Sequence, residues 1–237
     1  MADIIGVLYA DVLNVRPNDP HWAQRDRFIL SKGHCCAGLY AALAERGFFP
    51  TGELDEYGMD GSRLMTHACH LVPGVEFSTG SLGHGLPYTV GLALAGKKRN
   101  APWRCYVLLS DGELDEGSNW ESILFAPQHR LDNLTVIIDY NKIQSLGTVE
   151  DIIDLHPLRE KFETFGWSVR EVDGHDHLQL GDALNENPWM PGKPSCVIAH
   201  TTKGKGIDYM ENKLQWHYSA PNTDLLRSAL DQLDRAR

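Results

Sequence analysis

Apolar residues along this chain gather in short, nearly unbroken runs, and four of these read as compact strands. They are Cys105 to Leu109, Leu134 to Tyr140, Ser168 to Val172 and Ser195 to His200. The segments between them carry helical patterns, from Gly85 to Lys97, Ser118 to Gln128, Pro157 to Phe165 and His177 to Leu184. Two more helical segments, Ala2 to Leu13 and Cys35 to Arg46, precede the first strong strand, and Gly47 stands where the second needs a left-handed cap. Strand and helix therefore alternate. That order predicts an α/β fold with a mostly parallel sheet and helices on both faces, where ligands collect beyond the carboxyl ends of the strands. Ser118-Asn119-Trp120-Glu121 has the spacing of a capping box. The stretch from Phe48 to Gly80 is long for a connection inside a compact domain and carries His67 and His70, which marks it as a functional loop.

Composition narrows the function classes. A chain of 237 residues buries one sizeable core, so residues 1–237 are expected to form a single domain. With 32 acidic and 22 basic residues the net charge is −10, which argues against nonspecific binding to nucleic acid or to an anionic membrane. Five cysteines, Cys35, Cys36, Cys69, Cys105 and Cys196, form neither a disulfide framework nor paired CxxC clusters. Reduced thiols in a cytoplasmic protein fit best. No apolar stretch is long enough to span a bilayer, and the first residues do not begin a signal peptide.

The chemistry concentrates at two strand exits. Ser110-Asp111-Gly112-Glu113 follows the first strand, and Asn141 follows the second. Either residue alone has an ordinary structural reading, because Asp-Gly is a common turn and Asn at a strand end often bonds the backbone. Their separation is long enough for a crossover that returns the second beside the first, and Asp and Asn oxygens can then share one hard cation. Gly112 permits close approach of an anionic ligand. Magnesium with a diphosphate satisfies this pattern. His67, Cys69 and His70 with His34 and Cys35 match no standard zinc spacing. His129, His156, His175 and His177 read as surface or helix-end residues.

The Ser-Asp-Gly-Glu start, the Asn in Asp139-Tyr140-Asn141-Lys142-Ile143-Gln144 and the interval between them resemble the thiamine diphosphate motif, with Ser110 in place of its usual first Gly. Further segments narrow the resemblance to transketolase: Arg25 to His34, Pro73 to Glu76, Thr79 to Gly85, Asp173 to Asp176 and Thr201 to Gly206. The resemblance implies a thiamine diphosphate-binding fold, with Mg2+ as the metal and Ca2+ or Mn2+ as alternatives. It implies metal ligation by Asp111, the Asn141 side chain and the Ile143 carbonyl, and a diphosphate contact at Gly112. His34 and His217 resemble histidines that hold the diphosphate and line the substrate funnel. Gly80, Ser81 and Leu82 resemble the loop whose backbone meets the aminopyrimidine. Glu116 and Glu121 resemble interface residues that connect paired active sites, while a capping role is the local alternative for Glu121. His67 resembles a histidine near the reacting carbonyl, with His70 as a competing alignment. Lys203 and Lys205 are expected at the active-site rim.

A transketolase normally also contains a pyrimidine-binding domain and a carboxyl-terminal domain, and no segment here resembles either. The resemblance therefore implies the amino-terminal subunit of a split transketolase, completed by a separately encoded partner in an α2β2 heterotetramer. The implied reaction transfers a two-carbon ketol unit from a ketose or ketose phosphate to an aldose, with His34, His67 and His217 as the catalytic candidates. One departure concerns substrate choice: a Ser-Gly-His-Pro segment usually precedes the helix in which Met1 aligns. Two rivals stand beside this reading. One is a component of another thiamine diphosphate enzyme, such as an acyloin-forming synthase; the other is a noncatalytic cofactor-binding protein.

Overall fold

The computed structural model describes residues 1–235. Five strands form one parallel sheet: β1 (Arg27–Leu30), β2 (Cys105–Ser110), β3 (Leu134–Tyr140), β4 (Ser168–Asp173) and β5 (Ser195–His200). Their spatial order is β1-β2-β3-β5-β4. The helices are α1 (Ala2–Val7), α2 (Cys36–Glu45), α3 (Gly85–Lys98), α4 (Gly117–Gln128), α5 (Val149–Ile152), α6 (Leu158–Phe165), α7 (His177–Asn185) and α8 (Thr223–Arg235). Among the described residues no helix is long and apolar enough to cross a membrane.

Strand side chains alternate between two cores, as the pleat requires. Tyr106, Leu108, Ile137, Val197 and Ala199 pack with α1, α2 and α7, whereas Val107, Leu109, Val136, Ile138 and Ile198 pack with α3, α4 and α6. Both faces of the sheet are thus covered. This explains why the strands read as continuous apolar runs, and it confirms the expected α/β architecture.

Most expected elements appear within a residue or two of their sequence limits; α5 and α8 were not among the expected helices, and three further differences stand out. β1 was not expected as a strand; it is a four-residue edge strand between charged Arg-Asp-Arg and Ser-Lys, too short to show a period. The first helix gives way at Leu8–Val12 to a wider π turn. The capping box does not form: α4 begins at Gly117, its preceding residue is Glu116, and the Ser118 hydroxyl donates instead to the Gly83 carbonyl at 2.6 Å. Gly47 does adopt φ +89°, and the Gly47 and Phe48 amides close α2 on the Ala44 and Leu43 carbonyls.

Candidate active site

Register sets the site. Ser110 pairs with Asp139 and Leu30 with Leu108, while the Thr201 amide donates to the Tyr140 carbonyl. The segments leaving β1, β2, β3 and β5 therefore emerge side by side at one edge. They surround a cavity of about 430 Å3 lined by Lys32, His34, Asp111, Gly112, Asn141, Ile143, Lys203 and His217, with Gly80 and Leu82 closing one side.

Asp111 sits almost fully buried at the end of β2, where the chain turns into a short 3-10 helix (Gly112–Asp115). One carboxylate oxygen accepts from the Gly112 amide at 2.8 Å and the other from the Lys142 amide at 2.6 Å. Lys142 itself adopts φ +68°, in the left-handed region, where the chain turns after β3. Asn141 Oδ1 accepts from the Ile143 amide at 3.2 Å. Burial pushes the Asp111 carboxyl up to about 6, despite the two backbone donors. A buried carboxylate beside an amide oxygen at one cavity is the donor set of a hard cation. The residues present fit magnesium and a diphosphate.

The opposite wall is cationic. Lys32 Nζ pairs with Asp139 Oδ2 at 2.7 Å, both side chains being buried, and the Asp139 charge holds the ammonium above its usual range against burial. Thr201 Oγ1 donates to the other Asp139 oxygen at 2.6 Å, which ties the loop bearing Lys203 to the same carboxylate. Lys203 Nζ lies 3.1 Å from His217 Nδ1. An ammonium can only donate, so this geometry makes His217 Nδ1 an acceptor and leaves its proton on Nε2. Burial, then the charge of Lys203, brings His217 down to about 4. Burial and then Lys32 lower His34 and Lys203 as well. Cations crowded in a half-buried pocket depress one another, which is the electrostatic condition of an anion site.

Other expected residues are placed differently. His67 lies outside the cavity lining, but its ring sits against Gly80: a Cβ on Gly80 would come within 3.0 Å of His67 Cδ2. His70 turns away and pairs its Nδ1 with Ser78 Oγ at 2.8 Å, on the surface. Geometry therefore favours His67 over His70 as the histidine nearest the Gly80–Leu82 loop. Glu116, just before α4, and Glu121, on it, are exposed, and Lys205 is exposed beside Glu211, so Lys203 alone of the two lysines reaches the pocket. His175 and His177 both bond Asp3, at 3.0 and 2.9 Å, fastening α1 to the start of α7. Lys32, Cys35, Gln144 and Trp216 also line the cavity, where the motifs did not place them. Lys32 was within reach, since it precedes His34 by two residues in the segment from Arg25 to His34; its partner Asp139 is a tertiary fact.

Comparison with known proteins agrees with this geometry. Residues 1–233 match the family described as transketolase, thiamine diphosphate binding domain. The chain is 47% identical over 232 residues to an apulose-4-phosphate transketolase subunit of Actinobacillus succinogenes, covering 98% of this chain and 84% of that one. It is 38% identical to the 6-deoxy-6-sulfo-D-fructose transketolase subunit SqwG of Clostridium sp. (strain MSTE9), covering 99% and 86%. The crystal structure of transketolase from Campylobacter jejuni superposes with a TM-score of 0.90 at 32% identity. That alignment covers 97% of this chain and 37% of the Campylobacter chain. The chain belongs to the transketolase family, as a thiamine diphosphate-binding domain whose relatives of similar length are single subunits of transketolases divided between chains.

Proposed function

We propose that this chain, residues 1–237, is the cofactor-binding subunit of a split transketolase, working with Mg2+ and a second chain that carries the pyrimidine-binding domain. The observation that carries this reading is the meeting of Asp111, Asn141 and Ile143 with Lys32, His34, Lys203 and His217 around one cavity. Thiamine diphosphate, when bound, supplies the carbon centre that accepts electrons during cleavage beside a ketose carbonyl. Asp111 and Asn141 side chains with the Ile143 carbonyl hold the metal. Gly112 leaves room for the diphosphate: a Cβ there would lie 3.1 Å from Gln144 Cγ, at the cavity wall. Lys32 and Lys203 would balance its charge, His34 and His217 would hydrogen-bond its oxygens, and the Gly80–Leu82 backbone would meet the aminopyrimidine. His217, neutral with its proton on Nε2, is suited to donate to a substrate oxygen, and His67 beside Gly80 to exchange a proton with a sugar hydroxyl. Glu116 at the start of α4 and Glu121 on it, exposed with Leu124 and Phe125, suit an intersubunit contact in an α2β2 assembly.

The cationic wall has a measurable consequence. His217, His34 and Lys203 are depressed in the free pocket, and an anion bound among them raises all three. The bound state then holds more protons, so affinity falls as pH rises; for His217 the window runs from about 4 toward its ordinary value of 6.5. Calorimetry of thiamine diphosphate binding at about pH 6, in buffers of different ionisation enthalpy, is expected to show greater proton uptake for wild type than for His217→Asn. Equal uptake by the two proteins would contradict His217 as a diphosphate contact.

The reading as a whole is tested by co-expressing the chain with its partner and assaying ketol transfer from a ketose phosphate to an aldose phosphate. Turnover is expected only with both chains, Mg2+ and thiamine diphosphate present. Transfer by this chain alone would refute the split arrangement. A complex that binds cofactor but transfers only from unphosphorylated donors would favour an acyloin-forming relative.

A further inference from the structure

Glu113 lines no part of the cavity, yet it joins the three segments that form most of its walls. Its side chain is completely buried. Oε1 accepts from Ser31 Oγ at 2.5 Å and from the Gly83 amide at 3.0 Å. Its own amide donates to Ser110 Oγ at 3.1 Å, and its carbonyl accepts from Asn119 Nδ2 at 2.5 Å. Ser31 stands immediately before Lys32 and His34, and Gly83 immediately after Gly80–Leu82, while Glu113 follows Asp111 and Gly112. One carboxyl oxygen is thus the meeting point of the cationic wall, the Gly80–Leu82 loop and the metal-side turn.

Fold stability alone does not account for a carboxyl group here. Oε2 is buried and has no hydrogen-bond partner among the described residues, an arrangement that costs free energy a well-packed apolar side chain would not. What the group gains is control of Gly83. Gly83 takes φ +81°, and a Cβ there would meet Glu116 Cβ at 2.7 Å and Ser118 Oγ at 2.5 Å, so its backbone is pressed against the start of α4. Ser118 Oγ holds the Gly83 carbonyl at 2.6 Å while Glu113 holds the amide. Gly85 packs as closely on the other partner, since a Cβ there would lie 2.5 Å from Ser31 Cβ. Removing the Glu113 acceptor strips both the Gly83 amide and the Ser31 hydroxyl of that bond.

We propose that Glu113 is a positioning residue for the cofactor, fixing the Gly80–Leu82 backbone against the Lys32–His34 segment through Gly83 and Ser31. The proposal rests on the thiamine diphosphate reading of the cavity, and its test has one arm that does not. Glu113→Met keeps the side-chain volume and removes both acceptor bonds; Glu113→Gln keeps an amide oxygen able to accept both. In the two-chain complex without cofactor, hydrogen exchange at residues 79–85 is expected to quicken about tenfold in Glu113→Met, with the β2 and β3 amides unchanged. Thiamine diphosphate affinity should weaken by about tenfold or more in Glu113→Met and recover to within about threefold in Glu113→Gln. Exchange that rises uniformly through the sheet with unchanged cofactor affinity would reduce Glu113 to a packing residue and overturn the proposal. Should Glu113→Met not fold, Ser118→Ala releases the same glycine from its carbonyl side, and unchanged exchange at residues 79–85 there would refute the clamp. If wild type binds no thiamine diphosphate, the cofactor reading has failed while the exchange arm still decides whether Glu113 fixes the loop.

Discussion

Replacing Asp111 with Asn is expected to lower ketol-transfer turnover by about a thousandfold, while leaving the metal-free protein as stable as wild type or more so. The two effects have opposite signs because one carboxylate serves two states. Without a metal, Asp111 is buried at the end of β2 with only backbone amides as donors, and its carboxyl sits at about 6 against an ordinary 3.8. A carboxyl raised in the folded state stabilises below its unfolded value and loses that contribution as pH rises through the folded one. At pH 7.5 the metal-free chain therefore carries a penalty of about 3 kcal/mol that bound Mg2+ is expected to relieve. Asn removes the penalty and can still offer one oxygen to the Gly112 or Lys142 amide, but it brings no charge to the cation. Thermal unfolding with and without Mg2+ and thiamine diphosphate reads both effects. Wild type should gain strongly from the two together, and Asp111→Asn should gain little. A variant stabilised as much as wild type by Mg2+ and cofactor would mean that Asp111 is not a metal ligand.

Asp111 and Asn141 were legible in the sequence because each ends a long apolar run, and the parallel fold forces such ends to one edge. The same logic could not reveal β1. Arg27–Leu30 is four residues long on the edge of the sheet, and its identity comes from pairing with β2 rather than from its own pattern. α8 is a different case: it was not expected as a helix, although Leu226, Ala229, Leu230 and Leu233 stand at helical spacing within it. Ser118 shows how a local rule loses to a tertiary one. Its spacing to Glu121 suits a capping box, but the helix starts one residue earlier and the Ser118 hydroxyl donates to the Gly83 carbonyl. Glu113 and Asp139 were invisible for the same kind of reason. Each stands inside a recognisable motif, yet its partners come from segments far along the chain, and only packing shows which charges are compensated.

Asp139 yields the largest expected loss of stability. Lys32 and Asp139 are both buried, and the second carboxylate oxygen accepts from Thr201 Oγ1 and from the Met1 amino group at 3.3 Å. Lys32 holds Asp139 well below the usual carboxylate range although burial alone would raise it. A carboxyl lowered in the folded state contributes stability above its unfolded value and loses it only as pH falls through the folded one, so in wild type this contribution is constant above about pH 5. Asp139→Ala leaves the buried Lys32 ammonium and the partly buried Met1 amino group without their counter-charge and should cost about 3–5 kcal/mol at pH 7, read by urea unfolding in the absence of cofactor. The deficit should shrink as pH rises toward 9, because the stranded lysine can then lose its proton with less work. Lys32→Met combined with Asp139→Ala should recover most of the loss, since only the Met1 amino group, which is partly open to water, then lacks its counter-charge. Neither variant is expected to restore function. Lys32 lines the cavity, and its charge is available to a bound diphosphate only because Asp139 makes a protonated lysine tolerable at that depth. A deficit under 1 kcal/mol, or a double variant less stable than Asp139→Ala alone, would show that the ion pair is not what holds the cationic wall in place.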